Sequence, residues 1–469
     1  MPNPPLSCVV SVSGIRGIVG ESLDPAQVMA LAGAHGATLA PGGTVILGRD
    51  SRPTGAMLAA ACAAGLRGVG CSVIDIGVVP TPTVPIMIAH IKAQAGIQIS
   101  ASHNPVQWNA LKFFNGDGRN VDQAQLDRVL ATYHSSATVW KRWDACGGGS
   151  VRTDALDIHL ARVLKAVDVA LIRGANLTVA IDSVNGSGSE IGPRLLAALG
   201  CRVVPIHCRP DLIFPRDPEP TAANLTATAA MVAASGAHIG FVQDPDADRL
   251  AIIDDRGRYI GEEYTLVLCA AGRLAAASAT AKAQGSPAPV ACTNLSTSRM
   301  LEDVAARNGA RVVRSKVGEA HVVDAMQLEH AVIGGEGNGG IIDPRVVWGR
   351  DSHIGMALVL EHLARHRMSA SAAVAEIPRY AMHKEKINLD RAGVAAAVAR
   401  ITASSFAHGA TVDHTDGLKL SWPDAWVHLR ASGTEPASRI ISEAPDAVRA
   451  LALADAVRAA TGAALATAH

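Results

Sequence analysis

One pattern recurs three times along this chain, and it narrows the possible folds more than any other feature. Three stretches begin with a β-rich run that breaks into a polar turn: TVILGRDSRPTG (44–55), LTVAIDSVNGSG (177–188) and PVACTNLSTSRM (289–300). Each leads into an alanine- and leucine-rich helical segment. A second β-rich run then opens on glycine, as GCSVIDIG from Gly70, GCRVVPIH from Gly200 and GARVVRSK from Gly309. A third short strand follows, as AGIQIS, AHIGFV and HAVIGG. Strand, helix, strand, helix, strand at this spacing predicts parallel α/β units. With 469 residues, the chain is long enough for three or four domains.

After about residue 380 the pattern changes. EKINLD is expected to be a strand, 391–404 a helix, and LKLSW and AWVHLRAS two neighbouring strands, before a terminal alanine-rich helix. That describes a small α+β domain. The expected boundaries are 1–150, 151–256, 257–372 and 373–469.

Composition limits the function classes. Lys plus Arg equals Asp plus Glu at 42 each, so no global field draws in nucleic acid or anionic lipid. Any anionic ligand must meet a local cluster of donors. The eight cysteines show no C-x-x-C pair, as in buried free thiols of a reducing compartment. The N-terminus MPNPPLSCVV carries no evident signal peptide. Alanine-rich runs such as LVLCAAGRLAAA are interrupted by arginine and too short to span a bilayer. The expectation is a soluble cytoplasmic protein without nucleic-acid or membrane partners. Oligomeric state has no signal in the sequence.

Ligands of parallel sheets bind beyond the carboxyl ends of strands, so the loop after each third strand is the place to look for chemistry. The first reads SASHNP, with Ser102 just past a strand and Pro105 placed to start a helix or tight turn. A nucleophile there is exposed and near helix-terminal donors. No G-x-S-x-G elbow supports a Ser–His hydrolase. The second loop, DPDADR, sets Asp244, Asp246 and Asp248 at alternate positions, which in an extended segment aims three carboxylates one way, as a hard divalent cation requires. An EF-hand is excluded because Arg249 stands where its glycine is needed. The third, GGEGNGG, reads equally as a flexible glycine turn or as a backbone with little bulk that offers Glu336 and Asn338 to sugar hydroxyls. In the C-terminal region, the RASGTEPASR turn gathers Arg430, Ser432, Gly433, Thr434 and Arg439, a donor set suited to a phosphate dianion.

In order, SGIRGIVG (13–20), GRDSRPTG (48–55), SASHNP, DPDADR, SKVGEAHV, GEGNGG and RASGTEP resemble the signatures of the α-D-phosphohexomutase superfamily across nearly the whole chain. The resemblance implies four domains around a central cleft, three related mixed α/β domains and a C-terminal TBP-like α+β domain. It implies Ser102 as phosphoryl carrier, with Mg²⁺ held by Asp244, Asp246, Asp248 and Ser102. Arg16 and Arg249 would lie near the phosphoserine, with His103 and Lys112 as candidates for proton transfer. Lys316 would reach the substrate beside Glu336 and Asn338, and the Arg430–Arg439 loop would grip the phosphate that is not reacting. A hexose 1,6-bisphosphate would prime the enzyme.

The implied reaction interconverts hexose 6-phosphate and hexose 1-phosphate. Two departures from the family's pattern stand out, the second bearing on the substrate. Pro245 replaces the usual glycine of the metal loop and should stiffen it. Asn338 and Gly340 replace the serine and histidine of G-E-x-S-G-H, a form closer to archaeal-type phosphoglucosamine mutases. Glucosamine phosphate is therefore the expected substrate, with phosphomannomutase/phosphoglucomutase activity as the alternative. A metal-dependent phosphatase and a non-catalytic sugar-phosphate-binding protein are the readings from other classes.

Overall fold

The computed structural model describes residues 6–431 and 437–462. The chain forms two compact units, one from Met1–Arg273 and Asn338–Val374, the other from Leu274–Gly337 and Ala375–His469.

The threefold repeat is present as three sheets of one plan. In each, the first strand of the repeat lies between the second and the third, all parallel. The first sheet has Thr44–Arg49 between Ser72–Val78 and Ala95–Ile99; the second has Thr178–Asp182 between Arg202–Ile206 and Ile239–Gln243; the third has Val290–Asn294 between Arg311–Ser315 and Ile333–Glu336. The matched glycines have one physical cause. Gly70, Gly200 and Gly309 sit at φ +95°, +83° and +64°, directly after the repeat helices. In each case the next amide reaches back five residues, Cys71 to Leu66, Cys201 to Leu196 and Ala310 to Ala305, at 2.9–3.0 Å. This is a Schellman closure, in which the left-handed residue turns the chain into the second strand.

The units are mixed rather than purely parallel. Trp108–Asn115 returns antiparallel to Ala95–Ile99 after the SASHNP loop, and Leu250–Ile253 returns antiparallel to Ile239–Gln243 after DPDADR. Each of these two polar loops is thus a strand-to-strand turn. No helix follows Pro105, so the expected helix-terminal donors near Ser102 are absent and a tight turn takes their place.

The C-terminal domain is a five-stranded antiparallel sheet in the order Ala381–Ile387, Ser438–Ala444, Trp426–Ala431, Leu418–Ser421, Thr411–Asp413. Helices Arg391–Thr402 and Ala447–Thr461 pack on it around Ile387, Ile401, Leu420, Leu429 and Ile440. The first strand starts earlier than EKINLD suggests, and the strands at Thr411 and Ser438 escaped the sequence. LVLCAAGRLAAA belongs to a 22-residue helix, Glu263–Gln284, which by length and composition is apolar enough to cross a membrane, contrary to expectation. Its Leu266, Val267, Cys269 and Leu274 are buried within protein, and Arg273 faces the buried Asp343 at 3.7 Å.

His35 is a titratable group buried without compensation in the first domain's core. His35, on helix Pro25–Ala37, stacks 4.8 Å from Phe113, and neither ring nitrogen has a hydrogen-bond partner. Burial pushes its pKa down to about 4. The unfolded chain therefore binds a proton between the ordinary histidine value and pH 4 that the folded chain does not. Stability is fully present above that ordinary value and is lost as pH falls, by about 3 kcal/mol once below pH 4. Denaturant unfolding between pH 7 and 4 should show this slope, and His35→Leu should flatten it.

Candidate active site and its relatives

In the first unit, loops that are distant in sequence meet around Ser102. The Ser102 backbone is left-handed at φ +51° and its side chain is buried. Its hydroxyl donates to Asp244 Oδ2 at 2.9 Å and lies 3.4 Å from His103 Nδ1. Asp244, Asp246 and Asp248 are all buried and each brings one carboxylate oxygen within 4.8 Å of the others. They do so through a turn rather than the extended segment expected: Ala247 is left-handed at φ +53°, and its amide donates back to the Asp244 carbonyl.

Three hydroxyl residues fix that turn by its carbonyls. Ser187 donates to Pro245 O through both N and Oγ (2.8 and 3.0 Å), Thr81 N donates to Asp246 O (2.9 Å), and Ser352 Oγ donates to Ala247 O (2.7 Å). Gly186 is required beside them, since a Cβ there would come 2.5 Å from Pro245 O.

Cations surround the carboxylates. Lys112, on strand Trp108–Asn115, places Nζ 2.5 Å from Asp246 Oδ2 and 3.7 Å from Asp248 Oδ2, while Arg350 donates to Asp248 Oδ2 at 2.7 Å. Burial pushes the Asp246 carboxyl up, but the Lys112 charge and the hydrogen bonds from Lys112 and Thr81 outweigh it and hold it far below the usual range. Asp244 is pushed well above that range by burial and by the charges of Asp246 and Asp248. Two buried oxygens, Asp246 Oδ1 and Asp248 Oδ1, have no hydrogen-bond partner. Hard carboxylate oxygens, two of them unpartnered and one carboxyl driven toward protonation, fit a divalent cation.

The remaining predicted residues of this unit lie close by. Arg16, on strand Gly14–Ile18, donates to Asn104 Oδ1 at 3.3 Å, so it faces the Ser102 loop. Arg249 follows the acidic turn, its amide donating to Asp244 Oδ1. Arg249 foremost, then burial and Arg16, push His103 well below the ordinary imidazole value, leaving it neutral near pH 7 and able to accept a proton. The 338–340 turn packs on the same segment: Asn338 Oδ1 accepts from Gly340 N, and Gly339 O accepts from Leu250 N at 2.9 Å.

A second buried cluster, His159, Asp351 and His353, also has metal-ligand geometry. Here all four ring nitrogens are engaged: His159 with Thr83 Oγ1 and Asp351, His353 with Asp351 and the Gln243 side chain, at 2.9–3.3 Å. Asp351 caps the helix that begins at Ser352, so this network seats the serine that holds Ala247.

In the second unit, Glu336 ends strand Ile333–Glu336 with its side chain buried, accepting from Asn294 Nδ2 at 2.9 Å and Gly318 N at 3.2 Å. Lys316, two residues before Gly318, is exposed. Arg430 and Arg439 lie on neighbouring strands rather than in a turn, directly opposite one another. Like charges in that register are destabilising without a shared anion. Asp416 meets part of that need: its Oδ2 accepts from Arg430 Nε at 3.0 Å and from Val317 N at 3.1 Å. Ser432, Gly433 and Thr434 lie outside the described residues.

Sequence reasoning does not single out Thr81, Ser187, Arg350, Ser352, Asn294 or Asp416. Lone hydroxyl and amide residues in turns carry no spacing signal. Arg350 alone could have been noticed, in WGRDS before a long apolar helix.

Comparison with known proteins places this geometry. Four family models match in order: phosphoglucomutase/phosphomannomutase alpha/beta/alpha domains I, II and III at residues 9–139, 157–257 and 264–380, and the C-terminal domain at 373–460. A phosphoglucomutase/phosphomannomutase of Thermococcus kodakarensis is 37% identical over 92% of this chain and 93% of its own length. A probable phosphoglucosamine mutase of Methanopyrus kandleri is 35% identical over 94% and 95%. The fold matches a phosphoglucomutase/phosphomannomutase family protein of Burkholderia thailandensis with a TM-score of 0.82 at 24% identity, covering 98% of both chains. The four-domain match and the two long alignments together establish that this chain belongs to the phosphoglucomutase/phosphomannomutase family, and that it is a mutase of the α-D-phosphohexomutase superfamily.

Proposed function

We propose that the enzyme interconverts hexose 6-phosphate and hexose 1-phosphate through a phosphorylated Ser102, with glucosamine phosphate as its preferred substrate and the cytoplasm as its compartment. The observation that carries this is the Ser102 hydroxyl, 2.9 Å from an Asp244 carboxylate within a buried acidic triplet, beside Lys112. A hydroxyl-bearing nucleophile and a cation site in direct contact suit phosphoryl transfer.

Asp244, Asp246, Asp248 and Ser102 would hold Mg²⁺, which would neutralise charge on the transferring group. The chain's own residues do the rest. Arg16, Arg249 and Lys112 offset the remaining negative charge. A sugar hydroxyl attacks phosphorus as the bond to Ser102 Oγ breaks, and its proton passes to neutral His103. The hexose 1,6-bisphosphate so formed then returns its other phosphoryl group to Ser102 Oγ, and the free hydroxyl regains a proton. Any hexose 1,6-bisphosphate can prime an unphosphorylated enzyme by that return step. Glu336, Asn338 and Lys316 hold the sugar, while Arg430, Arg439 and the 432–434 segment hold the phosphate that is not reacting.

Glucosamine is favoured by the GEGNGG loop and by several relatives named probable phosphoglucosamine mutase. The relative with 37% identity, named phosphoglucomutase/phosphomannomutase, favours glucose and mannose phosphates as the second reading.

A coupled assay on purified protein with Mg²⁺ decides between them, with kcat/KM expected to be highest for glucosamine 6-phosphate. Glu336→Gln should change the ratio among the three sugars. Arg430→Ala and Arg439→Ala should instead weaken all three alike, by about tenfold or more, the loss of a charge-assisted bond to phosphate. An Arg439 variant that discriminates among sugars while Glu336→Gln does not would reverse these assignments.

A further inference from the structure

Arg52 is among the largest fully buried side chains of the protein. It belongs to the GRDSRPTG turn after strand Thr44–Arg49. Its Nη2 donates to two carbonyls of the nucleophile loop, Ser102 O at 2.8 Å and Asn104 O at 2.5 Å. Its Nη1 pairs with Asp50, which is equally buried. Asp50 Oδ2 also accepts from Ser100 Oγ at 2.6 Å, and Ser100 Oγ in turn accepts from Ser102 N at 3.0 Å. The Phe214 ring covers the guanidinium, 5.1 Å from centroid to Cζ.

The hydrogen-bond directions in this array are determined. Asp50 can only accept, so the Ser100 hydroxyl donates to it and keeps a lone pair for the Ser102 amide. The Asp50 carboxylate neutralises Arg52 and its Nη2 donates to backbone carbonyls, while its buried Nε has no hydrogen-bond partner. With its charge matched and its side chain fully buried, Arg52 is not built to bind substrate phosphate. What it holds is a serine in the left-handed region at φ +51°, a conformation that residues with a Cβ rarely adopt and that persists where surroundings fix it. Both faces of the Ser102 peptide are fixed: its N–H by Ser100 and its C=O by Arg52. If Ser102 relaxed to a right-handed backbone, its side chain would turn from Asp244. Two carbonyls two residues apart and a carboxylate require a planar fork, which lysine cannot supply.

We infer that Arg52, with Asp50 and Ser100, is the positioning residue that holds Ser102 in the left-handed conformation aiming Oγ at the acidic triplet. This rests on Ser102 being the phosphoryl carrier.

The test uses the full-length protein and glucose 1,6-bisphosphate as the phosphoryl source, with peptide mass spectrometry following phosphate uptake on Ser102. The main variant is the double substitution Asp50→Asn with Arg52→Met, which removes both buried charges together and so leaves neither unpaired. Misplacing a reacting group by about 1 Å costs on the order of 10²-fold, so kcat and the rate of Ser102 phosphorylation should fall about a hundredfold. KM and Mg²⁺ affinity by calorimetry should stay within about threefold, because the acidic triplet and sugar-binding residues are untouched. Arg52→Ala should recover several-fold in kcat when guanidinium ion is added. Arg52→Lys, which keeps the charge pair but lacks the fork, should lose kcat with an unchanged melting temperature.

Near-normal kcat in the folded double variant overturns the inference. So does a loss of kcat that only tracks thermal unfolding and is not rescued by guanidinium. Wild-type protein that takes no phosphoryl group on Ser102 overturns instead the carrier role on which the inference stands.

Discussion

Ser102→Ala should remove turnover of every hexose phosphate, by on the order of 10⁴-fold or more, while leaving the fold and metal affinity nearly intact. The double-displacement route needs an oxygen that can carry the phosphoryl group between two sugar positions. The neighbouring hydroxyls are committed elsewhere, Thr81 Oγ1 donating to Asp246 and Ser100 Oγ to Asp50, and Asp244 belongs to the acidic triplet. The structural cost is small. The substitution deletes the hydrogen bond from Ser102 Oγ to Asp244 Oδ2, worth about 1 kcal/mol, and the longer contact with His103 Nδ1 at 3.4 Å. Activity with all three sugars, Mg²⁺ calorimetry and thermal melting should therefore separate cleanly. Parallel loss of melting temperature and activity would point to a structural serine.

Lys112→Met should have the second large effect, on stability before activity. In metal-free protein the Lys112 ammonium is the closest compensation for buried Asp246 and lies near Asp248. Removing one partner of a buried ion pair leaves an uncompensated charge and costs about 3–5 kcal/mol. Mg²⁺ should restore much of this, since a ligand bound only by the folded state stabilises it by mass action.

Asp244→Asn should do the reverse. The Asp244 carboxyl is raised in the folded protein, first by burial and then by Asp246 and Asp248. Its contribution is fully favourable below the ordinary carboxylate pKa and is lost as pH rises through the raised value. Metal-free Asp244→Asn should therefore be as stable as the parent or more so near pH 7, with a flatter stability profile and weakened Mg²⁺ binding. Denaturant unfolding with chelator and with Mg²⁺, across pH, checks all three forms. A Lys112→Met protein as stable as the parent without metal would show that the triplet is not the repulsive site described.

The threefold repeat, the polar loops at its strand ends and the acidic triplet were all readable because each obeys a local rule. Glycine at 70, 200 and 309 marks helix closure, and alternate aspartates mark a candidate cation site. What supports those residues was not readable. Thr81 meets Asp246 across 165 positions, Ser352 meets Ala247 across 105, and Arg52 meets Ser102 across 50. No periodicity links such pairs; only the sheet order, which brings the loop ends together, does so. The DPDADR geometry was inferred for the wrong reason, since a left-handed Ala247 and not strand alternation gathers its carboxylates. The first residues of strand Ser438–Ala444 read as part of the RASGTEPASR turn, which hides that Arg430 and Arg439 are cross-strand partners.

The central claim is that Ser102 carries the phosphoryl group, and its chemical state during turnover tests this most directly. Purified protein would be incubated with hexose 1,6-bisphosphate and Mg²⁺, freed of excess ligand, and digested for peptide mass spectrometry before and after adding hexose 6-phosphate. The predicted result is one phosphoryl group on the peptide containing Ser102, discharged stoichiometrically into hexose bisphosphate. Full mutase turnover with that peptide unmodified throughout would contradict it.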